Sequence, residues 1–238
     1  MKTDFLFRDD AYLSTSDAHV LAITPTGGLI LDRSIFYPTG GGQPGDRGQI
    51  VCADGRVIPI INTVYGENRE TIAVIPEAET ALPQIGERLE QRLDWPLRLL
   101  RMRVHTCLHL LTTVLPYPVT GGAIGDGEGR LDFDIPDAGL DKEAIEAELA
   151  RRIAQQADVT QEWITDDELL AKPDLVKTMS VKPPMGSGRV RLIRIAGLDL
   201  QPCGGTHVRN TREIGPVHIT GIEKKGKQNR RIRLALAA

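Results

Sequence analysis

The sequence predicts an α+β protein of two domains: a small all-β barrel over residues 1–93, then an α+β domain over residues 94–238. Three observations support this prediction. Short β-branched runs separated by turn residues occupy the first 93 residues, a helical repeat of leucines follows them, and alternating strands return near the C-terminus. At 238 residues, the chain is long enough for each domain to bury its own core.

The first domain consists of short strands joined by turns. Strands are predicted at 20–23, 29–31, 49–51, 57–61, 71–75 and 88–94. Turn residues separate them at Gly27-Gly28, in the glycine run at 37–48, at Asp54-Gly55 and at 66–68. Many short strands with frequent turns are typical of a small barrel, and a sandwich is the alternative.

The second domain begins with a helix. Asp94 is a suitable N-cap, Pro96 is tolerated in a first turn, and Pro116 ends the segment. A buried stripe recurs at steps of three and four residues, formed by Leu100, Val104, Leu108, Leu111 and Leu115. Further helices are predicted at 142–157, capped by Asp141, and at 167–172. Strands are predicted at 131–135, 189–195, 217–222 and 231–236.

Composition indicates a globular protein that is neither secreted nor embedded in a membrane. The charged fraction is 26% and the hydrophobic fraction 41%, both ordinary values for a soluble domain. No apolar run approaches the ~18 residues of a membrane span, and the N-terminus lacks the apolar segment of a signal peptide. Three cysteines do not make a disulfide framework. We therefore expect a cytoplasmic protein with no membrane partner.

Charge is distributed unevenly along the chain. Residues 177–238 contain 13 Lys and Arg against 3 Asp and Glu, whereas residues 1–176 contain 16 against 29. One interpretation is that both parts are solvated and the difference carries no function. The other is that the last quarter binds a polyanion such as the phosphates of a nucleic acid. The predicted contacts are Lys224, Lys225, Lys227, Arg230 and Arg231, on a hairpin.

The glycine run YPTGGGQPGDRG at 37–48 matches the dinucleotide pattern G-x-G-x-x-G at Gly40, Gly42 and Gly45. That pattern binds a pyrophosphate only where it leaves a strand and opens a helix. Here a β-like segment follows, so we exclude a dinucleotide site. The phosphate-loop pattern at 221–227 is excluded as well, because Gln228 stands where Ser or Thr is required.

Two short segments predict a metal site. His105 and His109 lie four apart on the predicted helix, where both imidazoles can reach one ion. Cys203 and His207 lie in the loop QPCGGTHV, and one thiolate with three imidazoles is a set that zinc prefers. Thr106 excludes a metalloprotease of the H-E-x-x-H type. A purely structural zinc is the open alternative, and Cys107 is expected to be a packed thiol.

Four segments resemble known proteins: FYPTGGGQPGDRG, RVHTCLHLL, QPCGGTHVRNTREIG and EKKGKQNRRIRLAL are similar to the editing region of alanyl-tRNA synthetases. Their order and the chain length resemble a free-standing alanyl-tRNA editing protein of intermediate length (AlaX). The resemblance implies hydrolysis of serine, and also glycine, wrongly esterified to the acceptor end of tRNA(Ala). It also implies zinc at His105, His109, Cys203 and His207. The threonyl-tRNA synthetase editing domain is a more distant relative.

The resemblance also places the glycine run near the editing site. Thr39 and Gln43 are therefore candidate catalytic residues that position the substrate, unless they only satisfy turn backbone. The family often has Arg where this chain has Asp132. We expect Asp132 to face solvent, and the alternative is that Asp132 or Asp134 orients a zinc-bound imidazole. Arg130 is a possible substitute for the missing arginine.

The sequence leaves open one question about the mechanism and one about the function. Zinc could activate water, or it could hold the substrate in place. The candidate functions are a hydrolase that edits mischarged tRNA(Ala), a non-catalytic zinc module that binds tRNA or a synthetase, and a related deacylase of other specificity.

Overall fold

The computed structural model describes residues 1–67, 69–135, 139–179 and 188–237. The protein is a mixture of helices and strands, as predicted, and divides into two compact units, Met1–Leu99 and Leu100–Ala238. In the described residues, no helix is long and apolar enough to cross a membrane. Asn68, in the turn predicted at 66–68, lies outside the described residues.

The first unit contains eight strands among its described residues. They are β1 (Asp4–Phe5), β2 (Thr15–Ile23), β3 (Leu29–Leu31), β4 (Arg33–Ser34), β5 (Gly48–Cys52), β6 (Val57–Tyr65), β7 (Ile72–Pro76) and β8 (Arg88–Leu93). A short helix, α1 (Leu6–Asp9), follows β1. Six strands form a closed barrel in the order β2-β3-β7-β6-β5-β8, which confirms the predicted barrel over the alternative sandwich.

The barrel encloses an apolar core because alternate residues of its strands face inward. Ile50, Ile58 and Val74 are fully or almost fully buried. The strand predicted at 20–23 begins earlier, at Thr15, and its first half pairs with β8. That half reads T-S-D-A-H, with too few apolar residues for the sequence pattern to identify it.

The glycine run forms a tight turn followed by β5, which confirms the prediction that a strand and not a helix follows the run. Gly40 and Gln43 exchange two backbone hydrogen bonds of 2.9 and 3.0 Å. The two residues between them, Gly41 and Gly42, have φ of 58° and 82°, values that favour glycine. At Gly45, a side-chain Cβ would lie 2.1 Å from the carbonyl oxygen of Thr63, so only glycine fits.

Helix α2 (Trp95–Val114) begins and ends close to the predicted positions. The Asp94 carboxylate accepts a hydrogen bond of 3.2 Å from the backbone N–H of Leu97, as an N-cap does. The predicted apolar stripe is buried at Val104, Leu108, Leu111 and Leu115 and partly buried at Leu100. The Cys107 thiol is fully buried, and burial raises its pKa to about 12, which confirms a packed thiol.

The second unit contains two open sheets and two further α-helices among its described residues. Its elements are β9 (Val119–Ile124), β10 (Glu128–Asp134), α3 (Lys142–Ile153), β11 (Val159–Thr165), α4 (Asp166–Leu170), β12 (Arg189–Ile195), β13 (Asp199–Pro202), β14 (Val217–Lys224) and β15 (Asn229–Leu236). One sheet has the order β14-β15-β10-β9 and the other β11-β12-β13.

The prediction for this unit missed three strands and placed the ends of α3 and α4 too late, α4 by two residues. Strands β9, β11 and β13 were not predicted, because β9 contains two glycines, β11 is mostly polar and β13 has only four residues. Asp141 caps α3 as predicted, through a hydrogen bond from the N–H of Ala144. The helix ends at Ile153 instead of 157, since Gln156 adopts a left-handed conformation, with φ of 51°.

Candidate metal site

Four potential metal ligands meet in the second unit. His105 and His109 are one turn apart on α2, and Cys203 and His207 lie in the loop that follows β13. One ligand atom from each of the four lies within 4.8 Å of the others. The Cys203 Sγ atom is 3.5 Å from Nε2 of His105 and 3.3 Å from Nε2 of His207. The structure therefore brings together all four residues of the predicted metal site.

The charge state of Cys203 suits a metal ligand. Although burial favours the neutral thiol, the neighbouring imidazoles of His105 and His207 hold the pKa of Cys203 well below its usual range. The thiolate is the form of cysteine that binds zinc. One thiolate and three largely buried imidazoles fit the donor set of a zinc site.

The His207 ring is held by a hydroxyl group. Thr106 Oγ1 donates to the Met102 carbonyl at 2.9 Å, so its own proton is already used. The same oxygen lies 3.1 Å from Nδ1 of His207 and therefore accepts the Nδ1 proton. Nε2 of His207 is left with a lone pair and faces the Cys203 sulfur. The sequence indicated only that Thr106 is not a glutamate and did not indicate this role.

A buried carboxylate faces the His109 ring. Asp199 Oδ2 lies 3.3 Å from Nδ1 of His109, and the Asp199 side chain has no exposed surface. Burial opposes ionisation, but His109 and Lys177 outweigh it and lower the pKa of Asp199 to about 2. Burial likewise disfavours a charged His109, yet its contacts with Asp199 and Cys203 raise its pKa to about 9. Sequence analysis did not select Asp199.

The loop that carries Cys203 and His207 is fixed by an arginine on β12. Arg191 donates through Nη1 to the carbonyls of Cys203 and Gly205, at 3.1 and 2.8 Å. Its Nε donates to Gln161 Oε1 on β11 at 2.7 Å. The Gly205 N–H in turn lies 3.4 Å from the Cys203 sulfur. Arg191 is almost fully buried, so these contacts hold the loop in one conformation.

The two candidate residues of the glycine run belong to the first unit. Thr39 Oγ1 accepts from the N–H of Gly45 at 2.9 Å and lies 3.2 Å from the carbonyl of Thr63. Its hydroxyl thus satisfies turn backbone, as the alternative interpretation held. The Gln43 side chain is buried, with 1% of its surface exposed.

The predicted basic hairpin is present, formed by β14 and β15. Lys224, Lys225 and Lys227 are exposed, and Lys225 makes an ion pair of 3.0 Å with Glu223. Arg230 is partly buried. Arg231 is held by an ion pair within the sheet, so less of its charge is available to a phosphate than that of the lysines.

The expectation that Asp132 faces solvent is wrong. Its side chain is only 13% exposed and accepts hydrogen bonds of 2.7 and 2.9 Å from Arg231 and one of 2.7 Å from Arg130. These contacts follow from the pairing of β10 with β15, which sets Asp132 opposite Arg231. In the part of the chain that the structure describes, the carboxylate facing a cluster imidazole is Asp199, not Asp132 or Asp134.

Comparisons with known proteins show sequence similarity over part or nearly all of the chain. The family model for the threonyl and alanyl tRNA synthetase second additional domain matches residues 190–233, which include Cys203 and His207. The chain is 30% identical over 242 residues to the alanyl-tRNA editing protein AlaX-M of Methanosarcina mazei, covering 98% of this chain and 96% of that protein. Identity to AlaX-M of Saccharolobus solfataricus is 31% over 235 residues, with 97% of each covered.

A longer protein is also similar. The chain is 35% identical over 238 residues to the alanine–tRNA ligase of Korarchaeum cryptofilum. That alignment covers 93% of this chain but 25% of the ligase. The alignments with the two AlaX-M proteins thus cover nearly the full length of both sequences. The alignment with the ligase covers nearly all of this chain but only a quarter of the ligase.

Proposed function

This chain belongs to the family of free-standing alanyl-tRNA editing proteins, and we propose that it hydrolyses the ester between tRNA(Ala) and a wrong amino acid, serine or glycine. The observation that carries this proposal is the similarity to AlaX-M proteins over nearly the whole chain, together with a buried cluster of one thiol and three imidazoles. An enzyme of this kind works where aminoacyl-tRNA is made, so we expect it in the cytoplasm.

Zinc is the proposed metal, held by His105, His109, Cys203 and His207. When bound, it would supply either a Lewis acid or an anchor for the substrate. The protein itself would present the four ligands in a fixed arrangement. Thr106 sets the proton position on His207, and Arg191 holds the backbone of the loop at Cys203. A preorganised site of this kind binds its ion without first having to order its ligands.

Selectivity has a physical explanation for serine. A site that hydrogen-bonds a hydroxyl discriminates against an analogue without it, by a factor on the order of 10⁴–10⁵ in favourable cases. Alanine would thus be spared. The argument applies to serine alone, because glycine lacks the hydroxyl as well. Thr39 and Gln43 are the proposed residues that position the substrate, a role supported by the family resemblance. Thr39 would do so in part by shaping the glycine turn, because its hydroxyl accepts from the Gly45 N–H.

The basic hairpin is the proposed contact with the acceptor end of the tRNA. Lys224, Lys225 and Lys227 lie at its turn and are exposed, which lets them approach phosphates. Arg230 and Arg231 lie on the strand that follows the turn. Of these five residues, Arg231 contributes least to the proposal, since Asp132 already binds its guanidinium.

A deacylation assay tests the function. The protein is incubated with Ser-tRNA(Ala), Gly-tRNA(Ala), Ala-tRNA(Ala), Ser-tRNA(Ser) and Ser-tRNA(Thr), with and without a chelator. We expect hydrolysis of the first two alone and its loss with the chelator. Cys203→Ala should lose activity and metal together. Cys107→Ala, on the same helix as two ligands but outside the cluster, is the matched control and should keep both.

Each other outcome selects another function or mechanism. Hydrolysis of Ser-tRNA(Thr) in place of Ser-tRNA(Ala) would identify a deacylase with the specificity of the threonyl relatives. Tight binding of tRNA without any hydrolysis would identify a non-catalytic zinc module. Hydrolysis that withstands the chelator, in protein shown to have lost its metal, would remove zinc from the mechanism.

A further inference from the structure

Asp199 is the first residue of β13, four residues before Cys203. Its carboxylate is completely buried and is surrounded by donors. Lys177 Nζ donates to Oδ1, and Gln201 Nε2 donates to Oδ2 at 2.6 Å. The third neighbour is Nδ1 of His109, 3.3 Å from Oδ2; this is an ion-pair distance without hydrogen-bond alignment, and the buried Nδ1 has no other hydrogen-bond partner among the described residues. A buried carboxylate costs free energy unless such donors compensate it, so this arrangement requires an explanation.

An ionised carboxylate only accepts hydrogen bonds, so the nitrogen that faces it must carry a proton. In neutral His109, the form that binds a metal, this places the proton on Nδ1 and leaves the lone pair on Nε2, the nitrogen available to the cluster. Lys177 and Gln201 also bond to Thr112 Oγ1, at 3.2 and 3.3 Å, which ties both donors back to α2. The helix that carries His109 and the carboxylate that faces it are therefore held together.

We infer that Asp199 is a positioning residue that fixes the tautomer and ring orientation of His109 for metal binding. It acts through His109 and does not itself touch the metal or the substrate. A carboxylate behind a ligating histidine orients the ring and strengthens it as a donor, and its loss weakens metal affinity by about 10–100-fold. The inference rests on the metal-binding part of the proposed function but not on the reaction catalysed.

The competing explanation is structural. Asp199 could serve only to pair with Lys177, whose side chain is 26% exposed, and so hold the segment at 177 against β13. The two explanations differ in what the removal of each partner does. If the contact with His109 matters, the carboxylate is needed for metal affinity and the ammonium group is not.

The test measures zinc affinity by competition with a chromogenic chelator, so that no activity is required. We expect Asp199→Ala to weaken zinc binding by about 10–100-fold. Lys177→Met, which keeps the carboxylate, should change affinity by less than about threefold. Glu162→Gln removes an exposed ion pair with Arg194 in the same sheet as Asp199 and is the matched control. Thermal unfolding with a chelator present reports whether each variant folds.

A double-mutant cycle shows whether Asp199 acts through His109. His109→Ala weakens zinc binding by itself, and adding Asp199→Ala should then change affinity by less than about threefold. The inference would be overturned if Asp199→Ala lowered zinc affinity as much in the His109→Ala background as in wild type. Unchanged zinc affinity of the Asp199→Ala variant would also overturn it. So would a loss of affinity in Lys177→Met as large as that in Asp199→Ala.

The outcomes separate this inference from the proposed function. A wild-type protein that binds no zinc would overturn both the proposed metal and the role of Asp199. Zinc binding that is equal in wild type and Asp199→Ala would overturn only the role of Asp199. If Asp199→Ala does not fold, Asp199→Asn takes its place, with an expected loss of about tenfold, and unchanged affinity of that variant would count against the inference.

Discussion

The hydroxyl of Thr106 connects a helix backbone to a ligand imidazole. It donates to the Met102 carbonyl and accepts from Nδ1 of His207. Valine has nearly the same shape but no hydroxyl. We expect Thr106→Val to weaken zinc affinity by roughly tenfold, because the His207 ring loses the partner that sets its proton. The measurement is chelator competition on purified protein.

Thr113→Val is the control for this change. Thr113 makes a similar bond to the carbonyl three residues earlier on α2, at 2.6 Å, but its oxygen accepts from Arg152 Nη1 and not from a residue of the cluster. Its zinc affinity should equal that of wild type. Equal affinity of Thr106→Val and Thr113→Val would show that the hydroxyl has no part in metal binding.

The Asp132 carboxylate predicts a pH dependence of stability. Hydrogen bonds from Arg231, opposed by burial and aided by Arg130, hold the pKa of Asp132 below its ordinary value. Because the pKa of Asp132 is lower in the folded than in the unfolded protein, the ionised carboxylate stabilises the fold at pH values above its unfolded pKa of about 3.9. This stabilisation is lost as the pH falls through the pKa of the folded state. We expect Asp132→Asn to lower the free energy of unfolding by about 1–2 kcal/mol at pH 7.

The loss in Asp132→Asn should shrink as the pH falls below about 4, because the wild-type carboxylate then becomes neutral too. Urea unfolding of both proteins between pH 7 and pH 2 measures the difference. Asp134→Asn, two residues along the same strand, controls for the loss of a negative charge. A difference that stays constant to pH 2 would mean that the ion pairs of Asp132 do not stabilise the fold.

At the scale of single residues, the sequence predicted the site residues that stand at a regular spacing along the chain. It missed those that reach the site through strand pairing or through packing between distant segments. His105, His109, Cys203 and His207 stand in pairs four apart, and the structure brings these pairs together. Asp199, Thr106 and Arg191 could not be selected in the same way. Each reaches the cluster through the packing of α2 against the loop or the pairing of β12 with β13, which no local pattern encodes.

Helix α2 was the element easiest to predict, because its caps and its stripe are both local signals. Strand β11 shows the opposite case. It reads V-T-Q-E-W-I-T, and as an edge strand it is mostly polar, so neither alternation nor an apolar run marks it. Its pairing with β12 supplies the backbone hydrogen bonds that its sequence pattern did not predict.

The beginning of α2 is fixed within the first unit by a buried ion pair. Arg98 Nε donates to Asp46 at 2.9 Å, its Nη atoms donate to the carbonyls of Ala11 and Ile35, and Asp46 also accepts from the Tyr37 N–H. Arg98→Met would leave the Asp46 charge buried and unpaired. We expect a loss of about 3–5 kcal/mol in the free energy of unfolding.

Urea unfolding measures this loss, and an exposed ion pair in the same unit supplies the control. Arg88 and Asp17 are 2.6 Å apart, with side chains 68% and 58% exposed. Arg88→Met should cost less than about 1 kcal/mol. Adding Asp46→Asn to Arg98→Met should restore part of the stability, since it removes the unpaired charge. Similar losses in Arg98→Met and Arg88→Met would contradict the role of burial.

On the scale of the whole molecule, the uneven charge distribution predicts how the proposed tRNA substrate would bind. Residues 177–238 carry an excess of basic groups, and three exposed lysines are clustered at one hairpin turn. Replacing Lys224, Lys225 and Lys227 by alanine should weaken tRNA binding. It should also reduce the slope of log affinity against log salt by up to about two to three. Binding at several salt concentrations measures that slope.

Lys142→Ala combined with Lys172→Ala is the matched control. Both residues lie outside the hairpin, at the start of α3 and after α4. Their loss should leave the slope unchanged to within about 0.5. If the hairpin variant and this control behave alike, the lysines at the turn are not phosphate contacts.

The order of the parts was predictable from the sequence, because each part has its own repeat: period two in the barrel strands and period three to four in α2. Closure of the six strands into a barrel was predicted only as one of two possibilities. A sandwich and a barrel bury the same alternating residues, and they differ in which strands are neighbours. That difference depends on pairs that are distant in sequence, such as β2 with β8.

The pairing of β2 with β8 has a consequence for synthesis of the protein. Thr15 lies opposite Arg92 and His19 opposite Arg88, and β5 pairs with the other side of β8. Because the ribosome delivers the chain from its N-terminus, β2 and β5 emerge long before this shared neighbour. Until β8 has left the exit tunnel, both strands keep an unpaired edge that could bind another nascent chain. The barrel can therefore close only after its last strand has been made.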